Sequence, residues 1–296
     1  MTQVPKKKNH EVTKGYLKRW VNQVNQLWVF DIETQKIESR SLEAKFAIQD
    51  YLYVPEISGQ RVDATEEWFA GAENELVRFI NRVDTKDYTT PIKGNHLYLT
   101  ILGLIGLSLR SAYDLQSIDA QLLADPTLQE KLGVDVSTET ARHRFIVENM
   151  IAVINRAVER FCQANVTIVF GTKTSILTCD RPGADQTFMD GGMHFIPLGP
   201  HDYVFMDLSR PPPAITSGVM FAPSGPNEEI IRTINNQIIS RARRWIVAKS
   251  KEELEAIALE ITPEKIKKRI LSDKKEFVGL SEEERRWGWK LKDPSS

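Results

Sequence analysis

Only two cysteines occur in 296 residues, Cys162 and Cys179, so neither a disulfide framework nor a cysteine-based metal cluster can be built. Both lie in segments that read as regular and apolar, which points to buried, reduced thiols and a cytosolic chain. Long hydrophobic runs are also missing. The most apolar stretch, 97–109, is too short to cross a bilayer, and the basic, polar start has no apolar signal core, so neither membrane insertion nor export is expected. Neither sign of charge dominates: the formal net charge is −1, which gives no global attraction to nucleic acid or acidic membranes, and any such affinity must be local. There is no Gly-x-Ser-x-Gly elbow, Walker loop, Gly-x-Gly-x-x-Gly, Cys-x-x-Cys or His-Glu-x-x-His, so the common hydrolase, nucleotide and zinc signatures are absent.

What is there is a globular composition, 41% apolar, long enough for one large domain or two modest ones. At 174–182 the text Thr-Ser-Ile-Leu-Thr-Cys-Asp-Arg-Pro alternates with a period of two and stops at Pro182, which makes a strand with Asp180 at its exit. A carboxylate there either faces a crevice or turns the chain before the Pro-Gly pair. The first twenty residues hold six basic side chains against Glu11 alone, a candidate phosphate-facing arm or a solvated terminus. Residues 26–40 read as a hairpin with Asp31 and Glu33 in its turn.

Residues 64–83 carry apolar side chains on one helical face, and 96–113 are apolar nearly all round, a central helix ending in Arg110. His96 reads as a helix-entry residue, since no second ligand follows at i+4. Ser137 caps a long helix to Cys162, whose first turns carry Arg142-His143-Arg144. Cations there oppose the helix dipole; either they bind phosphate, or Glu139 and Glu148 neutralise them. Strands are expected at 166–171, 175–180, 193–197 and 203–208, with antiparallel pairing and with His194 on the face of Ile196. The segment 183–192 reads as a lid over the strand ends, and 209–226 as an irregular connection. Asn227 caps a helix to about Lys249 with Ile231, Ile234, Ile238, Ala242 and Trp245 inward. Its other side bears Arg232, Arg241, Arg243 and Arg244, either a solvated face or a nucleic-acid contact.

Three motifs carry a family resemblance. Lys8-Asn9-His10-Glu11-Val12 with Gly15-Tyr16-Leu17-Lys18-Arg19-Trp20 and Leu27-Trp28-Val29-Phe30-Asp31 resembles the opening of the bacterial domain-of-unknown-function 4238 family. Thr178-Cys179-Asp180-Arg181-Pro182 is similar to that family's Thr-Ser-Asp-x-Pro, and Phe195-Ile196-Pro197-Leu198-Gly199-Pro200 to its Pro-Leu-Ser-Pro strand. Val12-Thr13 stands where the family has Val-Pro. The resemblance covers roughly residues 6–250 and bears on architecture more than on chemistry.

The expected fold is α+β, an antiparallel sheet of four to six strands packed against a largely helical remainder, spanning 1–261, followed by a charged helical extension at 262–296. The first functional reading is a hydrolase acting on nucleic acid or a nucleotide. In it Asp180 with His10 or His194 either holds a divalent cation, Mg or Mn, or acts as acid and base, while Arg142, Arg144, Arg241, Arg243 and Arg244 take phosphate. The alternative is a non-catalytic binding module of a bacterial stress or phage-defence system, with a protein partner, in which His10 and Asp180 pair to hold the arm on the sheet. Either way His10 and Asp180 are expected at one crevice, because each ends an apolar motif where an unpaired polar group is costly.

Overall fold

The computed structural model describes residues 8–44, 47–87, 92, 94–124, 127, 135–185, 192–209, 219–225, 228–259, 261–262 and 264–265. The first seven residues, the tip of the expected lid, the Asn227 cap and nearly all of the C-terminal extension therefore lie outside the described residues. In chain order, β1 (Lys8–His10), α1 (Lys14–Leu17) and a 3₁₀ turn (Lys18–Trp20) lead into the hairpin of β2 (Gln26–Asp31) and β3 (Lys36–Ser41). Then come β4 (Ile48–Asp50), β5 (Glu56–Ile57), β6 (Gln60–Arg61), α2 (Ala64–Asp84), α3 (Gly94–Leu109), α4 (Ala112–Ala124) and α5 (Glu139–Phe161). The second half holds β7 (Asn165–Phe170), β8 (Thr178–Cys179), β9 (Ala184–Asp185), β10 (Met193–Gly199), β11 (Asp202–Asp207), β12 (Val219–Pro223), α6 (Glu228–Arg241), β13 (Trp245–Ala248) and α7 (Lys251–Ala258).

The class is α+β, with the strands divided between sheets. One sheet has the order β12-β7-β11-β10-β9, antiparallel except for β12 beside β7. A second runs β3-β2-β13-β8 with every pair antiparallel, and β1 pairs separately with β4. The expected strand 175–180 shrinks to β8 and joins the second sheet. Its leading N–H groups are spent elsewhere: Ile176 donates to the Pro200 carbonyl at 2.8 Å and Leu177 to Asn235 Oδ1 at 3.0 Å. Within 209–226, expected to be irregular, Val219–Pro223 forms β12; the β-favouring Val-Met-Phe-Ala text reaches β7 by a long connection and so can lie parallel to it.

The largest difference from the sequence reading concerns 242–249. The helix expected to run to Lys249 stops at Arg241, and Trp245-Ile-Val-Ala is a strand buried along its whole length. A four-residue apolar run enclosed on both faces has no amphipathic period, so its helical phase with Ile238 was accidental. The central apolar helix likewise divides at Arg110–Ser111 into α3 and α4, and Thr138, not Ser137, caps α5, its Oγ1 accepting from Ala141 N–H at 3.1 Å.

The second sheet separates two apolar cores. Leu27, Val29, Trp245 and Val247 face a large core filled by α2, α3, α5 and the inner face of the five-stranded sheet. Phe30, Ile246, Ala248 and Cys179 face a smaller one closed by Ile231, Ile234 and Ile238 of α6 and Leu254 of α7. Trp20 is fully buried and anchors the arm, its indole N–H donating to the Ile176 carbonyl at 2.9 Å. No helix among the described residues is long and apolar enough to cross a membrane.

The α2–α3 crossing is close because α3 has Gly103 there: a Cβ at that position would stand 2.8 Å from the Ala72 carbonyl oxygen and 2.9 Å from Leu76 Cβ. Gly71, on the exposed side of α2, has nothing within 4 Å of its Cβ position. Gly103→Ala should therefore lose about 1–3 kcal/mol, whereas Gly71→Ala should gain about 0.5–1 kcal/mol. Opposite shifts of the urea midpoint at constant m check the pair, and equal shifts would contradict the packing described.

Candidate functional site

Asp180 leaves β8 fully buried, its N–H donating to the Trp245 carbonyl at 3.4 Å. Its Oδ1 accepts from the main-chain N–H groups of Arg243 (3.1 Å) and Arg244 (3.4 Å), closing the turn between α6 and β13. Among the described residues Oδ2 has no hydrogen-bond partner. Burial pushes the Asp180 carboxyl above its ordinary range, opposed by those N–H groups and by the Arg181 and Arg244 charges.

The charge of this carboxyl is felt by Glu11, one residue past β1. Glu11 is itself fully buried, held by its N–H on the Ala47 carbonyl at 3.1 Å, and its Oε1 forms an ion pair with the Arg244 guanidinium. The Ala112 N–H at the start of α4 approaches the carboxyl and eases its charge, and among the described residues Oε2 has no hydrogen-bond partner. Burial raises the Glu11 pKa to about 7; Arg244 pulls it down and the charge of Asp180 pushes it further up.

The charges of Arg181 and Arg244 act on Asp180, and that of Arg244 also on Glu11. Arg181 pairs with Asp114 of α4 at 2.9 Å, and the guanidinium groups of Arg181 and Arg243 lie 5.6 and 5.2 Å from the Tyr113 ring centre. Arg241 Nη2 donates to the Ser108 carbonyl at 3.3 Å, and buried Arg110 pairs with Glu73. Tyr53 Oη donates to the Arg110 carbonyl. His194 is buried against Phe161, its Nε2 3.3 Å from Ser108 Oγ. Since Ser108 gives its hydroxyl proton to the Pro182 carbonyl, Nε2 is the donor to Oγ. Burial, with Arg241 adding to it, holds His194 well below the usual imidazole range and therefore neutral. Gly183, at φ 136°, packs so tightly here that a Cβ would fall 2.6 Å from Ser108 Oγ.

Of the residues singled out from sequence, Asp180, Arg241, Arg243 and Arg244 come together, with His194 beside Arg241. His10 is partly exposed at the end of β1, opposite Ile48, and it is the adjacent Glu11 whose carboxyl feels Asp180. Arg142 and Arg144 are occupied on α5: Arg142 donates to Asp119 at 2.7 Å and Arg144 to Glu148 at 2.8 Å. Asp119 stands two turns along α4, roughly 10 Å from Ala112 by helical rise. Glu11, Ser108, Tyr113, Asp114 and Arg181 went unread; the available signals were a lone acid in a basic arm and charged residues interrupting an apolar helical text. Among the described residues no group of three or more His, Cys, Asp or Glu is placed to hold a metal ion. The charged neighbours of Asp180 are chiefly arginines, a donor set that does not fit Mg or Mn.

In comparisons with known proteins, residues 8–252 match the family model described as Protein of unknown function (DUF4238). No curated protein and no solved structure matches the chain.

The raised Glu11 pKa has a signed consequence. From its ordinary 4.5 up to about 7, the folded chain keeps a proton that the unfolded chain has released, so stability falls as pH rises through that window, by about 3 kcal/mol in all. Asp180 acts in the same sense from its own ordinary value upward. His194, neutral when folded, acts oppositely below about 6.5. The difference between Glu11→Gln and the parent isolates Glu11: urea titrations at pH 5 to 8 should show the variant losing most of this decline. Parallel curves would mean that Glu11 does not titrate there.

Proposed function

We propose that this chain, which belongs to the family described as Protein of unknown function (DUF4238), is a hydrolase of phosphoesters in nucleic acid or a nucleotide. One observation carries the reading: two fully buried carboxyls, each with an oxygen that no hydrogen bond satisfies among the described residues, lie beside the charges of Arg181 and Arg244. A buried acceptor without a donor is expensive, and proteins keep such groups chiefly where a ligand or a proton supplies the missing partner. Arg241, Arg243 and Arg244 supply the charge for a phosphate, and their fork geometry suits its oxygens. Glu11, poised near neutrality, takes a proton from an attacking water or gives one to a leaving oxygen, while Asp180 fixes the turn that presents Arg243 and Arg244. His194, neutral and donating to Ser108, is a positioning group. No step is routed through a metal.

The second reading, a non-catalytic binding module, is favoured by a different observation. Glu11 and Asp180 are closed to solvent and tie β1, β8 and the α6–β13 turn together, which is what a structural clasp requires. The two readings separate in one set of measurements on the full chain with a fluorescent oligothymidylate. Hydrolysis predicts binding that weakens steeply with salt, a salt slope lower by about 1 for each of Arg243→Ala and Arg244→Ala, and a loss of cleavage of about 10²–10⁴-fold in Glu11→Gln with binding retained. Asp180 caps main-chain N–H groups, so the arginine substitutions leave that cap in place. Binding without cleavage by the parent would select the module, and no binding even at low salt would sink the nucleic-acid reading.

A further inference from the structure

Arg244 reaches out of the site it serves. Its side chain is 36% exposed, whereas that of its partner Glu11 is 0% exposed, so an anion arriving from solvent meets the guanidinium before it meets the acid. Five groups face Glu11 from the elements around it. They are Arg244 from the α6–β13 turn, Asp180 from the exit of β8, the Ala112 N–H from α4, Tyr53 from the segment after β4, and His10 beside it in the chain. Behind Tyr53 stand Arg110, Glu73 and Glu66. Arg244 is the cation in direct contact with Glu11.

An oxyanion that engages Arg244 competes with Glu11 for it. A buried carboxylate whose cation is drawn away cannot stay ionised cheaply, and nothing else in contact with it replaces that charge. Protonation also gives the Glu11 carboxyl, whose Oε2 has no hydrogen-bond partner among the described residues, a neutral form suited to its burial. We infer that binding of a phosphodiester oxyanion at Arg244 is coupled to uptake of one solvent proton by Glu11. A proton leaves buffer, one O–H bond forms at the Glu11 carboxyl, and the Glu11–Arg244 contact is exchanged for a phosphate–Arg244 contact. The inference rests on the phosphate-binding reading of this site and adds to it that substrate itself loads the acid needed for a leaving oxygen.

The test is calorimetric titration of the full chain with oligothymidylate, whose phosphodiesters hold no proton near neutrality, at about pH 8 in buffers of different ionisation enthalpy. The expected result is a heat that varies with buffer and corresponds to uptake of about one proton per site in the parent and near zero in Glu11→Gln. Arg244→Gln provides a second variant should Glu11→Gln fold poorly. Its Glu11 already carries the proton, so the oligonucleotide should bind more weakly and with no uptake. Binding by the parent with no buffer dependence overturns the coupling and leaves the phosphate reading standing. No binding at low salt overturns that reading, and the coupling with it.

Discussion

The structure depends on how one carboxylate oxygen is satisfied. Asp180 Oδ1 accepts the N–H groups of Arg243 and Arg244, and this stops α6 at Arg241 and sends the chain into β13. Without that acceptor, two N–H groups at the edge of a core would be left bare, at about 1–3 kcal/mol each. The same turn carries the Arg244 carbonyl, which receives the Ile32 N–H at 2.9 Å, and the Arg244 side chain, which receives Glu11. Three segments far apart in sequence thus converge on one turn by hydrogen bonds and an ion pair, and apolar packing fills in around them.

Burial explains why the chemistry of the site departs from ordinary side-chain behaviour. Glu11, Asp180 and His194 are all enclosed, and enclosure alone drives the two acids and the imidazole toward their neutral forms. The nearby arginines stabilise the ionised carboxyls and work against a charged imidazole. An acid such as Glu11, raised to about 7 beside a permanent cation, can exchange a proton without losing the field that attracts an anion.

Parts of this were legible in the sequence because they depend on local periodicity. The α2 stripe, the β2–β3 hairpin and the shared burial of His194 and Ile196 follow from spacings of 3.6 and 2 with polar residues to mark the exposed side. β13 was illegible for the opposite reason: with both faces covered it offers no polar marker, and the preceding arginines looked like the last turn of an amphipathic helix. The site was half legible. Asp180 stood out against a proline and an apolar strand, but that the carboxyl of Glu11, next to His10 in the chain, feels its charge depends on how the chain bends after β1. The pairing of Arg144 with Glu148 is an i,i+4 contact within α5 that spacing offers, whereas that of Arg142 with Asp119 depends on which helices are neighbours, information that no local spacing carries.

The place of β13 also sets an order of events during synthesis. The β2–β3 hairpin leaves the ribosome early, yet the inner edge of β2 pairs with residues 245–248, translated more than two hundred positions later. At typical elongation rates that is a wait of roughly 10–40 s, during which an apolar strand edge containing Leu27, Val29 and Phe30 has no native partner. The two cores close on opposite faces of the same late strand, so neither is complete until it arrives, and they should then close together. A nascent chain built this way needs shielding of that edge until residues 245–248 have been made, and a ribosome stalled before them would release a product with both cores open.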